Sequence, residues 1–210
     1  MKRIISLLLT LMIAFTAAAL TACGDKEGGD AQPVASVADD LTPNGYNAEG
    51  NPTGFSKSEY DENDRLIRNY TYDSLGNLQG SIGHEYDENG EISKDIMYDS
   101  DGKITSQVAY EKNADGFITK RTNMDAQGTV TAVTDTEYDD AGNQISVYKY
   151  DGSNTLLRYQ IFEYEDGDLV KLTLYNADDT VDSYITYETT DDGAIIENKY
   201  DGDGKLISNK

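Results

Sequence analysis

The sequence predicts an all-β fold, an antiparallel meander of about 12 or 13 strands built from tandem hairpins. Three observations predict it. One phrase, an aromatic residue followed by Asp or a relative and then a turn, recurs thirteen times between Tyr46 and the C-terminus. The turn position that needs a left-handed backbone holds only Gly, Asn or Asp. Between turns, polarity alternates with the period of two expected of strands.

The chain begins in a different register. Lys2 and Arg3 precede an apolar run from Ile4 to Leu20, the charged start and apolar middle of an export signal. The run is too short, and too closely followed by polar sequence, to read as a stable membrane span. It ends in Leu20-Thr21-Ala22-Cys23, which resembles the lipobox of bacterial lipoproteins. That resemblance implies a signal peptide over 1–22, removed on maturation, and lipid attachment at Cys23. Cys23 is the only cysteine, and an exported chain gains nothing from one unpaired thiol, which agrees with an anchor. The expected location is a membrane, with the chain facing outside the cytoplasm. Residues 23–44 are Gly, Asp, Ala, Ser and Pro with scattered small apolar residues and no periodicity, the composition of a flexible tether. Residues 45–210 form the repeat domain.

Charge narrows the partners. Loss of Lys2 and Arg3 with the signal moves the net charge from −22 to −24. Such a chain is repelled by nucleic acid and by anionic lipid surfaces. It suits solubility on a crowded surface, a cationic partner, or bound cations.

Within the repeats the turn chemistry is explicit. In Asp87-Glu88-Asn89-Gly90, Asp opens a type I turn and Gly takes the left-handed position of a three-residue hairpin loop. The same position falls on Gly50, Asp64, Gly76, Gly90, Gly102, Gly116, Gly128, Gly142, Asn154, Gly167, Asp179, Gly193 and Gly204. The anchor aromatic then lies across from the residue six positions on, so that Tyr60 faces Leu66, Tyr72 Leu78, Tyr86 Ile92, Tyr98 Ile104, Tyr150 Leu156 and Tyr200 Leu206. Each aromatic–aliphatic pair contributes roughly 0.2–1 kcal/mol. Asp61–Arg65, Asp99–Lys103 and Asp201–Lys205 add screened charge pairs beside the turns.

Strict alternation places Ile104, Ser106, Val108 and Tyr110 on one face and Lys103, Thr105, Gln107 and Ala109 on the other. On this count the anchors share one tyrosine-rich face. From Ile145 onward the second face gains Val147, Leu157, Tyr159, Ile161 and Tyr184, so the expected sheet curls or spirals and covers its C-terminal half on both sides. Tyr46, Tyr72, Tyr98, Met124 and Tyr150 are 26 residues apart and mark one end of the sheet. Tyr60, Tyr86, Tyr110, Tyr138, Tyr164 and Tyr187 mark the other. Glu59, Glu85, Glu137 and Glu163 precede four of these and read as solvated charge. Pro52 and Gly54 in the first strand, and the short last strand, read as protected edges of an open sheet. A closed β-barrel is the alternative.

The Tyr-Asp-x-x-Gly-x-Leu/Ile phrase, clearest from Tyr72 to Leu78, Tyr86 to Ile92, Tyr98 to Ile104 and Tyr200 to Leu206, resembles the YD repeats of bacterial RHS-type surface proteins. A weaker resemblance is to Tyr- and Gly-rich MORN-like repeats. The YD resemblance implies a spiralling β-sheet shell, which in that family often encloses a C-terminal toxin. This chain stops inside a repeat, and toxin delivery is not expected to carry over.

Catalytic signals are weak. His84 is the only histidine, and the sequence holds no phosphate-cradling loop, zinc spacing or dinucleotide fingerprint. No enzyme activity and no cofactor are expected. Asp99-Ser100-Asp101-Gly102 and Asp201-Gly202-Asp203-Gly204 resemble pieces of a calcium loop, which makes Asp99, Asp101, Asp201 and Asp203 the metal candidates. An EF-hand needs a bidentate Glu at position twelve, where counting from Asp99 gives Tyr110. Turn formation accounts for these residues without metal. The expected function is therefore a surface-displayed binding or adhesion module for an envelope polysaccharide or a protein partner. Its candidate face is Tyr72, Tyr86, Tyr98, Tyr110, Tyr138 and Tyr150. The alternatives are a structural spacer or scaffold and a calcium-stabilised adhesion repeat. A binding row leaves these rings exposed, whereas a structural row is covered by its neighbours.

Overall fold

The computed structural model describes residues 41–190 and 193–210. They form one antiparallel sheet of fourteen strands in chain order: β1 Thr42–Tyr46, β2 Pro52–Tyr60, β3 Leu66–Tyr72, β4 Leu78–Tyr86, β5 Ile92–Asp99, β6 Ile104–Lys112, β7 Ile118–Asp125, β8 Val130–Tyr138, β9 Gln144–Asp151, β10 Leu156–Glu165, β11 Asp168–Asn176, β12 Val181–Thr189, β13 Ile195–Asp201 and β14 Leu206–Asn209. This exceeds the expected strand count because β1 begins at Thr42, inside the stretch read as tether, and pairs with β2. Cys23, the signal peptide and most of the tether lie outside the described residues.

The turns form as the sequence dictates. All thirteen left-handed positions have positive φ, from 60° at Asp64 to 92° at Gly167. In the Asp87 loop the Asp87 N–H donates to the Glu91 carbonyl and the Gly90 N–H to the Asp87 carbonyl, at 2.9 and 3.1 Å. The side chain reinforces this: Asp87 Oδ1 accepts from the N–H groups of Asn89 and Glu91, both at 2.9 Å. Asp61, Asp73, Asp99, Asp125, Asp139 and Asp151 do the same, each satisfying the two amides that a type I turn leaves pointing inward. The β10–β11 hairpin differs from the repeat scheme. Asp166 also has positive φ (51°), giving a two-residue Asp-Gly loop in which Glu165 pairs with Asp168 and Tyr164 with Leu169. The six expected cross-strand pairs, from Tyr60–Leu66 to Tyr200–Leu206, are all present.

A second irregularity, absent from the sequence reading, sits one pair beyond nearly every turn. After Tyr86–Ile92 the next pair is Glu85–Lys94, which leaves Ser93 without an opposite residue. Ile67, Gln79, Thr105, Thr119, Thr131, Ile145 and Leu157 are skipped in the same way. Each is a β-bulge, and a one-residue slip exchanges the faces of everything beyond it. Ser93, Thr105, Thr119 and Thr131 return their hydroxyls to the carbonyls of Glu85, Met97, Glu111 and Asn123 at 3.2–3.3 Å, which holds the bulge shut.

The bulges overturn the single tyrosine face. Directly paired residues share a face and neighbours alternate, so the registers put Tyr72, Tyr98, Met124, Tyr150, Tyr175 and Tyr200 on one face and Tyr60, Tyr86, Tyr138 and Tyr164 on the other. We call these the first and second faces. Ile104, paired with Tyr98, lies on the first face, whereas Ser106, paired with Met97, lies on the second with Val108 and Tyr110.

The sheet is open, and its strands contact only their neighbours in sequence, so no barrel forms. The expected curl over the C-terminal half is not found. Its apolar residues do not accumulate on one surface: Val147 falls on the second face and Tyr159, Ile161 and Tyr184 on the first, while Ile145 and Leu157 are bulge residues turned outward. Phe55, Val108 and Val147 are the buried apolar side chains among the described residues, and none is fully enclosed. Stability must therefore come from contacts between neighbouring strands. At the N-terminal edge, Pro43 and two register shifts roughen β1 against further pairing.

Candidate functional site: two tyrosine rows and a gap

The tyrosines at the two ends of the sheet make different contacts. On the second face, the Tyr86 hydroxyl donates to the Leu66 carbonyl at 2.7 Å, Tyr138 to Ile118 at 3.1 Å and Tyr164 to Gln144 at 3.0 Å. Each reaches 20 residues back, into the preceding hairpin. The backbone explains why. Between hairpins, the β3–β4 ladder ends at Arg68–Gly83, β7–β8 at Lys120–Asp135 and β9–β10 at Ser146–Ile161. The strands part beyond these pairs, and the tyrosine hydroxyl supplies a donor to a carbonyl that the ladder has left. Arg65 lies 4.6 Å over the Tyr86 ring, and Phe117 stacks on Tyr138 at 4.9 Å. Desolvation, with Asp139 nearby, pushes the Tyr164 hydroxyl above its ordinary value.

On the first face rings meet rings. Tyr148, Tyr159 and Tyr175 form a continuous stack with centroids 5.3 and 4.6 Å apart, and Tyr184 stacks on Tyr200 at 4.7 Å. Desolvation and the hydrogen bond to Asp179 push the Tyr159 hydroxyl up to about 12. In β3–β5, the Arg68 guanidinium lies 3.9 Å over Tyr98. Gly83 makes room for that ring, because a Cβ there would stand 3.3 Å from Tyr98 Cε2. Three of the four spaced glutamates, read as solvated charge, take partners on this face: Glu59 accepts from Tyr70, Glu137 from Ser146, and Glu163 pairs with Lys171.

The six tyrosines of the expected binding face are therefore not one surface. Tyr72, Tyr98 and Tyr150 lie on the first face, Tyr86, Tyr110 and Tyr138 on the second, and all six are half-buried. The exposed tyrosine rings are Tyr46 (64%) and Tyr60 (59%), the first members of each row, with no earlier hairpin to lie against among the described residues.

Two positions break the second-face row, and at the C-terminal one Thr189 pairs with Ile195 while Tyr187 stands two residues early. At the other, Lys112, not Tyr110, stands 26 residues after Tyr86 and 26 before Tyr138, and it pairs with Ile118 as the anchors do. Lys112 Nζ meets Glu91 Oε2 at 2.6 Å. Tyr110, two residues early, sends its hydroxyl inward to Asp95 Oδ2 at 2.9 Å, while Asp95 Oδ1 lies 2.7 Å from His84 Nδ1. This polar chain crosses β4, β5 and β6 and accounts for the only histidine. Desolvation and Asp95 raise the Tyr110 hydroxyl above its ordinary value. With Tyr110 committed, the Ile92 carbonyl, counterpart of those of Leu66, Ile118 and Gln144, receives no tyrosine hydroxyl. A cavity of about 340 Å³ opens there, lined by Asp87, Asn89, Glu91, Ile92, Tyr110, Lys112, Asn113, Ala114 and Gly116. The signal was present in the sequence: the intervals from Tyr86 to Tyr110 and from Tyr110 to Tyr138 are 24 and 28 residues rather than 26.

The acidic turns use their oxygens locally. Asp99 Oδ1 accepts from the N–H groups of Asp101 and Lys103, Asp101 lies 3.6 Å from Lys103 Nζ, and Asp201 Oδ1 accepts from Lys205 N–H. Neither these nor Asp203 join a cluster of three metal-ligating side chains among the described residues.

No family model matches the chain, and no curated protein matches it. Among solved structures it is similar to the Photorhabdus luminescens Tc holotoxin pore, at 12% identity and a TM-score of 0.46, over 75% of this chain and 9% of that one. It is also similar to a TcdB2–TccC3 structure without its hypervariable C-terminal region, at 14% identity and a TM-score of 0.38, over 78% of this chain and 11% of that one. A porin-like protein from Bacteroides uniformis matches at 18% identity and a TM-score of 0.34, over 64% of this chain and 48% of that one. The chain thus spans about a tenth of the length of the two toxin chains.

Proposed function

We propose that this chain is a non-catalytic spacer and scaffold of the bacterial envelope, held to a membrane through lipidated Cys23 and displayed outside the cytoplasm. The observation that carries the reading is the repeated lock between hairpins, in which Tyr86, Tyr138 and Tyr164 each bond the hairpin before them. Half-buried and tied to the hairpin before them, these tyrosines support a structural rather than a binding row. A single-layer sheet of fourteen strands, supported strand by strand, spans about 60 Å between its edges at ~4.8 Å per strand. Length can be changed in whole 26-residue hairpins without a shared core to disturb, which suits a part whose task is distance. The high negative charge keeps such a sheet from associating with its neighbours.

The test is an epitope fused after Lys210 and probed with antibody on intact cells. Removing 26-residue units one at a time should reduce access in steps, and Cys23→Ala should release the protein from the membrane fraction. Access that does not depend on the number of units would refute the spacer role. Retention of Cys23→Ala in the membrane would refute the anchor.

A further inference from the structure

The geometry points to a glycan-binding notch at the gap in the second-face tyrosine row, between the loops Asp87–Glu91 and Asn113–Phe117. It takes one neutral hexose unit. This inference stands apart from the spacer role and does not depend on it.

The notch exists because of a local sequence change. At Tyr86, Tyr138 and Tyr164 a tyrosine crosses from one hairpin to the carbonyl of the last, and here a lysine occupies that position and turns to Glu91. The cavity of about 340 Å³ is at the small end of the range for ligand pockets. Its lining is polar, with two carboxylates, two amides, one ammonium and one aromatic ring. That set suits a ring that is flat and apolar on one side and edged with hydroxyls. Tyr110 supplies the platform, and its hydrogen bond to Asp95 holds it in place before any ligand arrives. Asp87 commits Oδ1 to its turn, and its second oxygen, with Glu91, Asn89 and Asn113, offers acceptors and donors to vicinal hydroxyls. The net charge of −22 disfavours an anionic sugar. An apolar guest would strip water from the free oxygen of Asp87 and from the Glu91–Lys112 pair without replacing it.

The experiment uses the full-length chain, titrated with cellotetraose, maltotetraose and mannotetraose while the amide signals of Ala114 and Gly116 are followed by NMR. At least one of these glycans should shift those signals with saturation. Lys112→Tyr refills the row and should weaken that binding by tenfold or more, with the melting temperature unchanged or higher. Glu91→Gln, which keeps the shape and removes a charged acceptor, should weaken it by about tenfold, the equivalent of one charge-assisted hydrogen bond; it serves as the second variant should Lys112→Tyr fail to fold. The proposal is overturned if no glycan shifts these signals, if the shifts fall instead on the Tyr148–Tyr159–Tyr175 stack, or if both variants bind as the parent does. It is also overturned if N-acetyltyrosinamide binds and the glycans do not, which would make the notch a socket for a partner's aromatic side chain.

Discussion

The two ends of this sheet carry the same repeated phrase and solve different problems with it. At the end marked by Tyr98, Tyr150 and Tyr175, the ladder between hairpins runs up to the first turn residue: Gly80 pairs with Asp99, Ala132 with Asp151 and Arg158 with Asn176. Here the tyrosines settle onto one another, as Tyr175 does on Tyr159, or under an arginine, as Tyr98 does under Arg68. At the other end the ladder stops three residues before the anchor, at Gly83, Asp135 and Ile161, and the tyrosine hydroxyl closes the gap. One residue type thus acts through its ring at one end and through its oxygen at the other. What decides between them is whether the backbone has already satisfied its own polar groups.

Truncation should affect both ends strongly. Tyr159 is stacked on both sides, and Tyr159→Ala should cost about 2–3 kcal/mol, below the range for a fully buried aromatic because the ring is only partly enclosed. Chemical denaturation of the variant checks it. A loss under about 0.5 kcal/mol would mean that the stack contributes no more than an ordinary surface position.

Removal of the hydroxyl alone should separate the ends. Tyr164→Phe leaves the Gln144 carbonyl without its donor and should cost about 1 kcal/mol, whereas Tyr175→Phe should cost near zero because its ring contacts survive. Equal losses at the two sites would break the comparison. Hydrogen exchange at the β9–β10 joint offers a second reading: amides near Gln144 should exchange faster in Tyr164→Phe, with those near Tyr175 unchanged.

Much of this organisation was legible in the residues. The left-handed positions were readable because Gly, Asn and Asp are nearly alone in tolerating that backbone, so the requirement is written in residue identity at Asp64 and Asn154 as clearly as at Gly90. The cross-strand pairs followed once the turn was known. The bulges were not legible, because no residue type marks them: the skipped position is Ser93 or Thr105 in some hairpins and Ile67, Ile145 or Leu157 in others. A bulge asks only that its side chain tolerate exposure, and both polar and aliphatic residues do. One uncounted residue per strand was enough to merge two faces into one. The notch lay between these cases, since its position was visible as broken spacing while its polar lining required the loops to be brought together.

A gain of about 0.5–1 kcal/mol is expected where the left-handed position carries a side chain. Asp64 (φ 60°) and Asn154 (φ 63°) occupy opposite ends of the sheet in equivalent turns, and neither side chain caps the turn, a task that Asp61 and Asp151 perform. Asp64→Gly and Asn154→Gly relieve the same strain and should raise stability alike. A large difference between them would show that the two ends differ in their turns as well as in their joints.

The smallest effect expected is that of acid on the turns, and it too bears on the comparison. The Asp61 carboxyl is held below its ordinary value of 3.8 chiefly by the Arg65 amide, and those of Asp73 and Asp139 chiefly by the side chains of Asn77 and Asn143. A depressed folded value means that the carboxylate stabilises the native turn fully above the unfolded value. That contribution declines as pH falls below the unfolded value and is gone once pH passes below the folded one. These carboxylates are exposed, so each loss is screened and modest. Asp61 and Asp139 belong to the hydroxyl-locked end and Asp73 to the stacked end. Melting temperatures followed from about pH 6 down to about pH 3 should therefore fall gradually in the parent, and the decline should shrink in Asp61→Asn and Asp73→Asn by similar amounts. If only the Asp61 variant flattened the profile, the turns at the two ends would be unequal, and the division of labour would reach beyond the tyrosines into the loops that set their register.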